Sequence, residues 1–329
     1  MIEAWCRRIS GLVASTVLAA ATCASFSAQA QNYPDRPVKV LLGLAAGGGA
    51  DIVARYYVDK LREISGGTYV LENKVGASGN IASDTLAKSK PDGYTLQFAA
   101  SASQGGNRFL YKNLPFNTDR DIEPITTFYQ LGFVLLVNPE KTPVNSVAEL
   151  TALLKAKEGK ATYGWAVTSS IASSVLYITA ANIPAIQVGY KTTAAAVSDL
   201  MAGQIDFVFA DVVYGSGLAK QGRVKILANS ADRRASSLPD VPTMAEVGLK
   251  EATQFPWWAA WGPRGLPPEV VEKTARWINQ ITAMPATQEF LKTQGADPLP
   301  GNPEQTRIKL QEAVATWQKV VTLAKIEPQ

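Results

Sequence analysis

From Val38 the chain alternates short β-rich runs with helical ones. "VKVLLGL" is uniformly apolar, as a strand buried on both faces must be, and Ile52, Val53, Tyr56, Tyr57, Leu61 and Ile64 then share one face of a helix. "TYVLEN" reads as the next strand, "GNIASDTLAKSK" as a helix stopped by the turn Pro91-Asp92-Gly93, and "YTLQFAA" as a third strand. Strands separated by helices imply a parallel sheet with helices on its faces.

A second α/β unit begins after "DIEPITTFYQ". "GFVLLVNP" is a strand, and "SVAELTALLKAK" opens with the capping box Ser146-x-x-Glu149, placing Leu150, Leu153 and Leu154 on one face. "ATYGWA", "IQVGY", "QIDFVFAD" and "VKILANS" are further strands, and "AAAVSDLMAG" is a helix closed by Gly203. The segment "SSLPDVPTMAEVGLKEATQFPWWAAWGPRGLPPEVV" is proline-rich with few regular runs. Pro267-Pro268 then starts a helix carrying Val270, Val271, Ala275, Ile278 and Ile281, and a last helix after Asn302-Pro303 carries Ile308, Val314, Trp317 and Val321. These tail helices are expected to pack back on the first sheet. The expected division is a signal peptide over 1–30, a discontinuous first lobe over 31–128 and 255–329, and a second lobe over 129–254.

Composition narrows the chemistry. Arg7 and Arg8, the uncharged run "GLVASTVLAAATCASF" and the small-x-small site Ala28-Gln29-Ala30 form a secretory signal, predicting export to the periplasm with cleavage after Ala30. An uncleaved anchor fits less well, because a processing site and not basic residues ends the run; Ala20 and Thr22 argue against lipid attachment at Cys23. Both cysteines, Cys6 and Cys23, leave with the signal, so the mature chain has no disulfide and no cysteine metal site. Lys and Arg number 32 against 28 Asp and Glu, with no like-charge block, so nucleic acid is not an expected partner. Histidine is absent altogether. That excludes a serine–histidine triad and any histidine metal site, and leaves an enzyme only carboxylates, lysine or tyrosine.

Three glycines, Gly47, Gly48 and Gly49, separate the first strand from its helix. In an open parallel sheet, ligands bind beyond the carboxyl ends of the strands, where a helix N-terminus offers free N–H groups. A dinucleotide fingerprint fails at Ile52 and a P-loop fails at Ala50-Asp51, leaving a carboxylate-like anion or a ligand-free tight turn. Asp51 is either a helix cap or a ligand group. "VGASGN" and "AASASQGGN", with Ser101, Ser103, Gln104 and Asn107, end two further strands of the sheet. In the second unit Thr168, Ser169, Ser170 and Ser173 follow a strand, Tyr190, Lys191 and Thr192 end another, and Asp211 ends "IDFVFA". Trp257, Trp258 and Trp261 are expected to wedge the lobes together, and "ADRRASS" to be solvated surface.

"YPDRPVKVLLGLAAGGGADIVAR", "ENKVGASGNIASDTLAKSKPDGYTL", "LYKNLPFNTDRDIEPIT", "DLMAGQIDF", "LPDVPTMAEVGL" and "GPRGLPPEVV" in this order and spacing resemble the Bug-type extracytoplasmic receptors of tripartite tricarboxylate transporters, over nearly all of 32–304. The resemblance implies a type II periplasmic-binding-protein fold: two α/β lobes joined by crossing strands, closing on a small carboxylate, whether a di- or tricarboxylate, an aromatic carboxylate or an amino acid. It implies a first ligand loop over Ala46, Gly47, Gly48, Gly49, Ala50 and Asp51, a second from Trp165 to Ser173, and small hydroxyls at Ser101 and Ser103. The chain departs from the family at Ala50, Trp165, Val167, Ser169 and Ser173; Trp165 either stacks on a flat ligand or caps its lobe. The expected ligand set is therefore Ala46 to Asp51, Ser101, Ser103, Trp165, Thr168, Ser169, Ser170, Tyr190 and Asp211. No cofactor and no metal are expected, the partners are a small carboxylate and membrane permease subunits, and the receptor is expected to be monomeric. Two alternatives stay open: a secreted enzyme using Asp51 and Asp211, and a receptor feeding a signalling sensor.

Overall fold

The computed structural model describes residues 33–328 apart from 236, 255 and 325; the signal-peptide assignment lies outside the described residues. The first sheet holds β1 (Val38–Leu42), β2 (Tyr69–Asn73), β3 (Thr95–Ala100), β4 (Ile122–Leu131), β10 (Trp257–Pro263) and β11 (Ala296–Pro298), in the order β11-β4-β10-β3-β1-β2. The second holds β5 (Phe133–Val137), β6 (Ala161–Trp165), β7 (Ala185–Gly189), β8 (Phe207–Asp211) and β9 (Lys225–Asn229), in the order β7-β6-β8-β5-β9.

Each sheet has a parallel core, β2-β1-β3 and β7-β6-β8, as the alternation of strands and helices predicts. Each is extended by antiparallel strands that the periodicity does not reveal. In the first sheet β10 lies antiparallel between β3 and β4. β10 is buried at every position, so it shows no polar–apolar alternation, and the tail that contains it reads as irregular.

The helices are α1 (Gly49–Ser65), α2 (Asn80–Ala87), α3 (Ser101–Leu110), α4 (Thr118–Asp121), α5 (Val147–Ala156), α6 (Thr168–Ala180), α7 (Thr193–Ala202), α8 (Val212–Lys220), α9 (Pro268–Ala283), α10 (Pro285–Thr293) and α11 (Pro303–Ala324). The core face of α1 is Val53, Ala54, Tyr57, Val58 and Leu61, an i, i+3, i+4 stripe. Ile52, expected on that face, is 40% exposed because it lies off the stripe. On α11, Ile308 is likewise 47% exposed, while Trp317 and Val320 are buried. Ser146 caps α5 through the Glu149 N–H at 3.1 Å, and the Glu149 carboxylate reaches back to the Asn145 N–H at 2.8 Å, one residue outside the expected capping box. The tail helices α9 and α11 both pack on β4, and α9 also on α1.

The chain changes sheets at Gly132, between β4 and β5. A Cβ there would lie 2.0 Å from Asn229 Oδ1 and 2.9 Å from the Ala231 side chain, so only glycine lets the crossing strand pass β9. Close beside it Leu131 N–H bonds the Pro256 carbonyl and Gln254 N–H bonds the Ser230 carbonyl, where the chain returns. These crossings set how the two sheets face each other. Gly132→Ala is expected to lower stability by about 1–3 kcal/mol through overpacking, measured by urea denaturation; an unchanged midpoint would show that the crossing can relax around a methyl group.

Candidate functional site

Between the two sheets lies a cavity of about 300 Å³, walled by the strand-to-helix loops of both. The glycine run builds one wall, and each glycine has its own reason. Gly47 has φ +82°, a conformation side chains disfavour. Gly49 starts α1 with no room for a Cβ, which would lie 2.1 Å from Asp211 Oδ1 across the cavity. Gly48 is the N-cap, in extended conformation, and a Cβ there meets only the Ala45 carbonyl at 3.7 Å. A fourth glycine, Gly43, passes Gly79 so closely that a Cβ would fall 2.5 Å from the Gly79 Cα, locking the first loop against the second.

The helices that begin at the cavity differ in their caps. Gly48 of α1, Ala100 of α3 and Val167 of α6 offer no side-chain acceptor among the described residues. At the same cavity Thr192 caps α7 and Asp211 caps α8 with their side chains. A helix N-terminus leaves its first N–H groups without intrahelical partners, and carries about half a positive charge. Three such ends, uncapped and lining one cavity, form a receptacle for an anion.

Asp51 lines this cavity, but its carboxylate is fully engaged within the protein. Oδ2 accepts from Gly47 N–H at 2.9 Å and Arg55 Nε at 2.8 Å; Oδ1 accepts from Arg55 Nη2 at 3.0 Å and Asn73 Nδ2 at 2.9 Å. Burial alone would raise this carboxyl, but the bonds from Arg55, Gly47 and Asn73 outweigh it and hold the group below the ordinary carboxylate value. Asp51 is thus the clamp that shapes the glycine loop, its carboxylate already satisfied by donors of the protein.

The other expected residues divide by how their side chains are used. Ala46, Gly47, Gly48, Gly49 and Ala50 line the cavity, as do Ser103, Thr168, Ser169 and Asp211. Thr168 Oγ1 donates to Asn107 Oδ1, and Asn107 Nδ2 in turn donates to Asn80 Oδ1 at 2.6 Å and the Ser78 carbonyl at 3.1 Å, so a chain of polar groups links the second unit to the first. Four expected residues stand off the lining. Ser101 Oγ accepts from Trp257 N–H at 3.3 Å. Ser170 Oγ donates to the Val167 carbonyl at 2.8 Å. Tyr190 OH donates to Asp199 Oδ2 at 2.8 Å. Trp165 is buried and stands off the lining, its ring lying where Gly189 leaves space, the placement that the lobe-capping alternative expects.

Lys191, Tyr214 and Trp258 line the cavity although none is among the expected ligand residues. Lys191 is exposed and makes no ion pair among the described residues. Trp257 and Trp261 pack together, ring centroids 6.1 Å apart, in an apolar cluster of the first unit and not as a wedge between the lobes, whereas Trp258 stacks on Tyr129 at 5.0 Å and forms part of the cavity wall. Strand alternation in β10 separates them: Trp257, Ala259 and Trp261 join one apolar cluster, Trp258 and Ala260 the other. Asp211, the N-cap of α8, accepts from Tyr214 N–H at 2.9 Å, and burial pushes its carboxyl up. Among the described residues no group of three or more His, Cys, Asp or Glu side chains could hold a metal.

Asp51→Ala is expected to cost about 2–4 kcal/mol, because Arg55 and the Gly47 amide lose their acceptor. Since folding depresses the Asp51 carboxyl, its contribution is complete above its unfolded-state value near pH 4 and disappears as pH falls through the lower folded-state value. Denaturant unfolding of both proteins over an acid pH series tests this; a stability gap that persists at the acid end contradicts the clamp.

The matches to known proteins agree with this geometry. The model of the tripartite tricarboxylate transporter family receptor matches residues 53–326. Protein BugT of Bordetella pertussis is 30% identical, over 89% of this chain and 90% of its own. The structure of R. palustris Rpa4515 with adipate superposes with a TM-score of 0.86 at 27% identity, covering 90% of this chain and 100% of that one. MatC from Rhodopseudomonas palustris with bound malate superposes with a TM-score of 0.81 at 26% identity, covering 88% and 100%. The fold is thus the two-lobed α/β fold of those receptors, and the chain belongs to the tripartite tricarboxylate transporter receptor family.

Proposed function

We propose that the protein is a periplasmic receptor that captures a small carboxylate between lobes built on its two sheets, and presents the closed form to the permease subunits of a tripartite transporter. The observation that carries this reading is the meeting of three uncapped helix N-termini, those of α1, α3 and α6, in one cavity. The first strand–helix loop seats the carboxylate on main-chain N–H groups, and the loop opening α6 closes over it through Ser169 and its neighbours. Adipate in Rpa4515 and malate in MatC are carboxylates of the size the cavity admits, which supports the same ligand class here. Export through a signal peptide ending at Ala30 agrees with this role, and no helix among the described residues is long and apolar enough to cross a membrane.

No catalytic step is part of this function. A carboxylate enzyme would need a free pair of acids, and the engagement of Asp51 by Arg55, Asn73 and Gly47 leaves Asp211 without a second free acid on the cavity wall among the described residues. Binding energy is used to stabilise the closed arrangement of the lobes.

Isothermal titration of ligand-free protein against a panel of di- and aromatic carboxylates is expected to give saturable binding with the ligand recovered unchanged; silence across the panel from folded protein contradicts the reading. Gly48→Asp supplies the missing N-cap at a position with room for a side chain, so the variant is expected to fold with equal or higher thermal stability. It places a carboxylate in the anion's seat, and affinity is expected to fall by about 100-fold or more. Unchanged affinity would mean that the ligand does not use this helix end.

A further inference from the structure

Asp211 is the one free acid the described residues place on the cavity wall, and it touches Gly49, the first residue of α1. Its role as N-cap of α8 does not explain its charge. The bond to Tyr214 N–H needs only a neutral acceptor, which asparagine supplies equally well. No side-chain donor and no Lys or Arg reaches the carboxylate among the described residues, and the aromatic groups facing it are Tyr214 on its own helix and Tyr129 beneath. Lys191, the cation at the cavity, makes no pair with it. An acid has thus been set against the helix end whose N–H groups seat an anion, with no protein cation between the two.

Two bare carboxylates brought so close repel each other, so an acid whose neighbouring carbon carries only hydrogens meets Asp211 at a cost. An acid with a hydroxyl or ammonium on that carbon turns the same contact into a charge-assisted hydrogen bond. We infer that Asp211 selects, among small carboxylates, those bearing a hydrogen-bond donor on the carbon next to the anchored carboxylate. This rests on the carboxylate-receptor reading and adds to it which carboxylates are taken.

Titration calorimetry at neutral pH with succinate, malate and aspartate tests this on one carbon skeleton, and adipate against 2-aminoadipate repeats it on a longer one. The donor-bearing member of whichever series binds is expected to bind about tenfold or more tightly than the unsubstituted acid. Asp211→Asn, which keeps the helix cap, is expected to bring that ratio close to one by weakening the donor-bearing acid and strengthening the plain one. Equal or tighter binding of succinate or adipate in the wild-type protein overturns the inference while leaving the receptor intact. So does an unaltered ratio in folded Asp211→Asn. Silence of all five acids with folded wild-type protein also overturns the inference, and the receptor reading falls with it only if the aromatic carboxylates are silent as well.

Discussion

A buried peptide N–H without an acceptor costs about 1–3 kcal/mol, so how the helices at the cavity are capped bears on what the cavity holds. α1, α3 and α6 begin at the cavity without a side-chain cap, whereas α7 and α8, which also begin there, are capped by Thr192 and Asp211. A ligand carboxylate brings the acceptors that these ends lack. The same gap gives the open protein a reason to bind and the closed protein a reason to stay closed while ligand is present.

Holding such a gap open requires rigidity around it. The Asp51 carboxylate ties the glycine loop to its own helix through Arg55 and to the neighbouring strand through Asn73, so the loop cannot fold inward and cap itself. Gly43 against Gly79 locks the first two loops of the sheet together. Across the cleft, the Thr168–Asn107–Asn80 chain of polar groups ties α6 to the first unit, and Gly132 lets the chain cross between the units. Charge in the cavity is sparse: apart from the engaged Asp51, the second unit brings Asp211, beside the glycine loop, and Lys191. The main-chain N–H groups at the helix ends add fixed partial positive charge to the wall.

Much of this can be read from residue types and spacing. Glycines between an apolar strand and an amphipathic helix mark a close approach, and the approach exists, with Asp211 as the visitor to Gly49. The alternation of strands and helices gives the parallel core of each sheet. What stays hidden depends on partners distant in the chain. The i,i+4 spacing of Asp51 and Arg55 is visible, but the bond from Asn73 that completes the clamp comes from another strand. Trp165 and Tyr190 end strands beside genuine lining residues, yet which face each side chain takes is fixed by register and packing, and both turn away from the cavity. β10 hides because it is buried throughout, and with it goes the sign that Trp258 and not its two tryptophan neighbours reaches the cavity.

The most direct test of the central claim is a crystal structure of the protein with a bound acid. The account expects one ligand carboxylate to lie over the start of α1, hydrogen-bonded directly or through one water to main-chain N–H groups of Gly48, Gly49 or Ala50. A carboxylate held instead by Lys191 alone, or a ligand lodged outside this cavity, would contradict it.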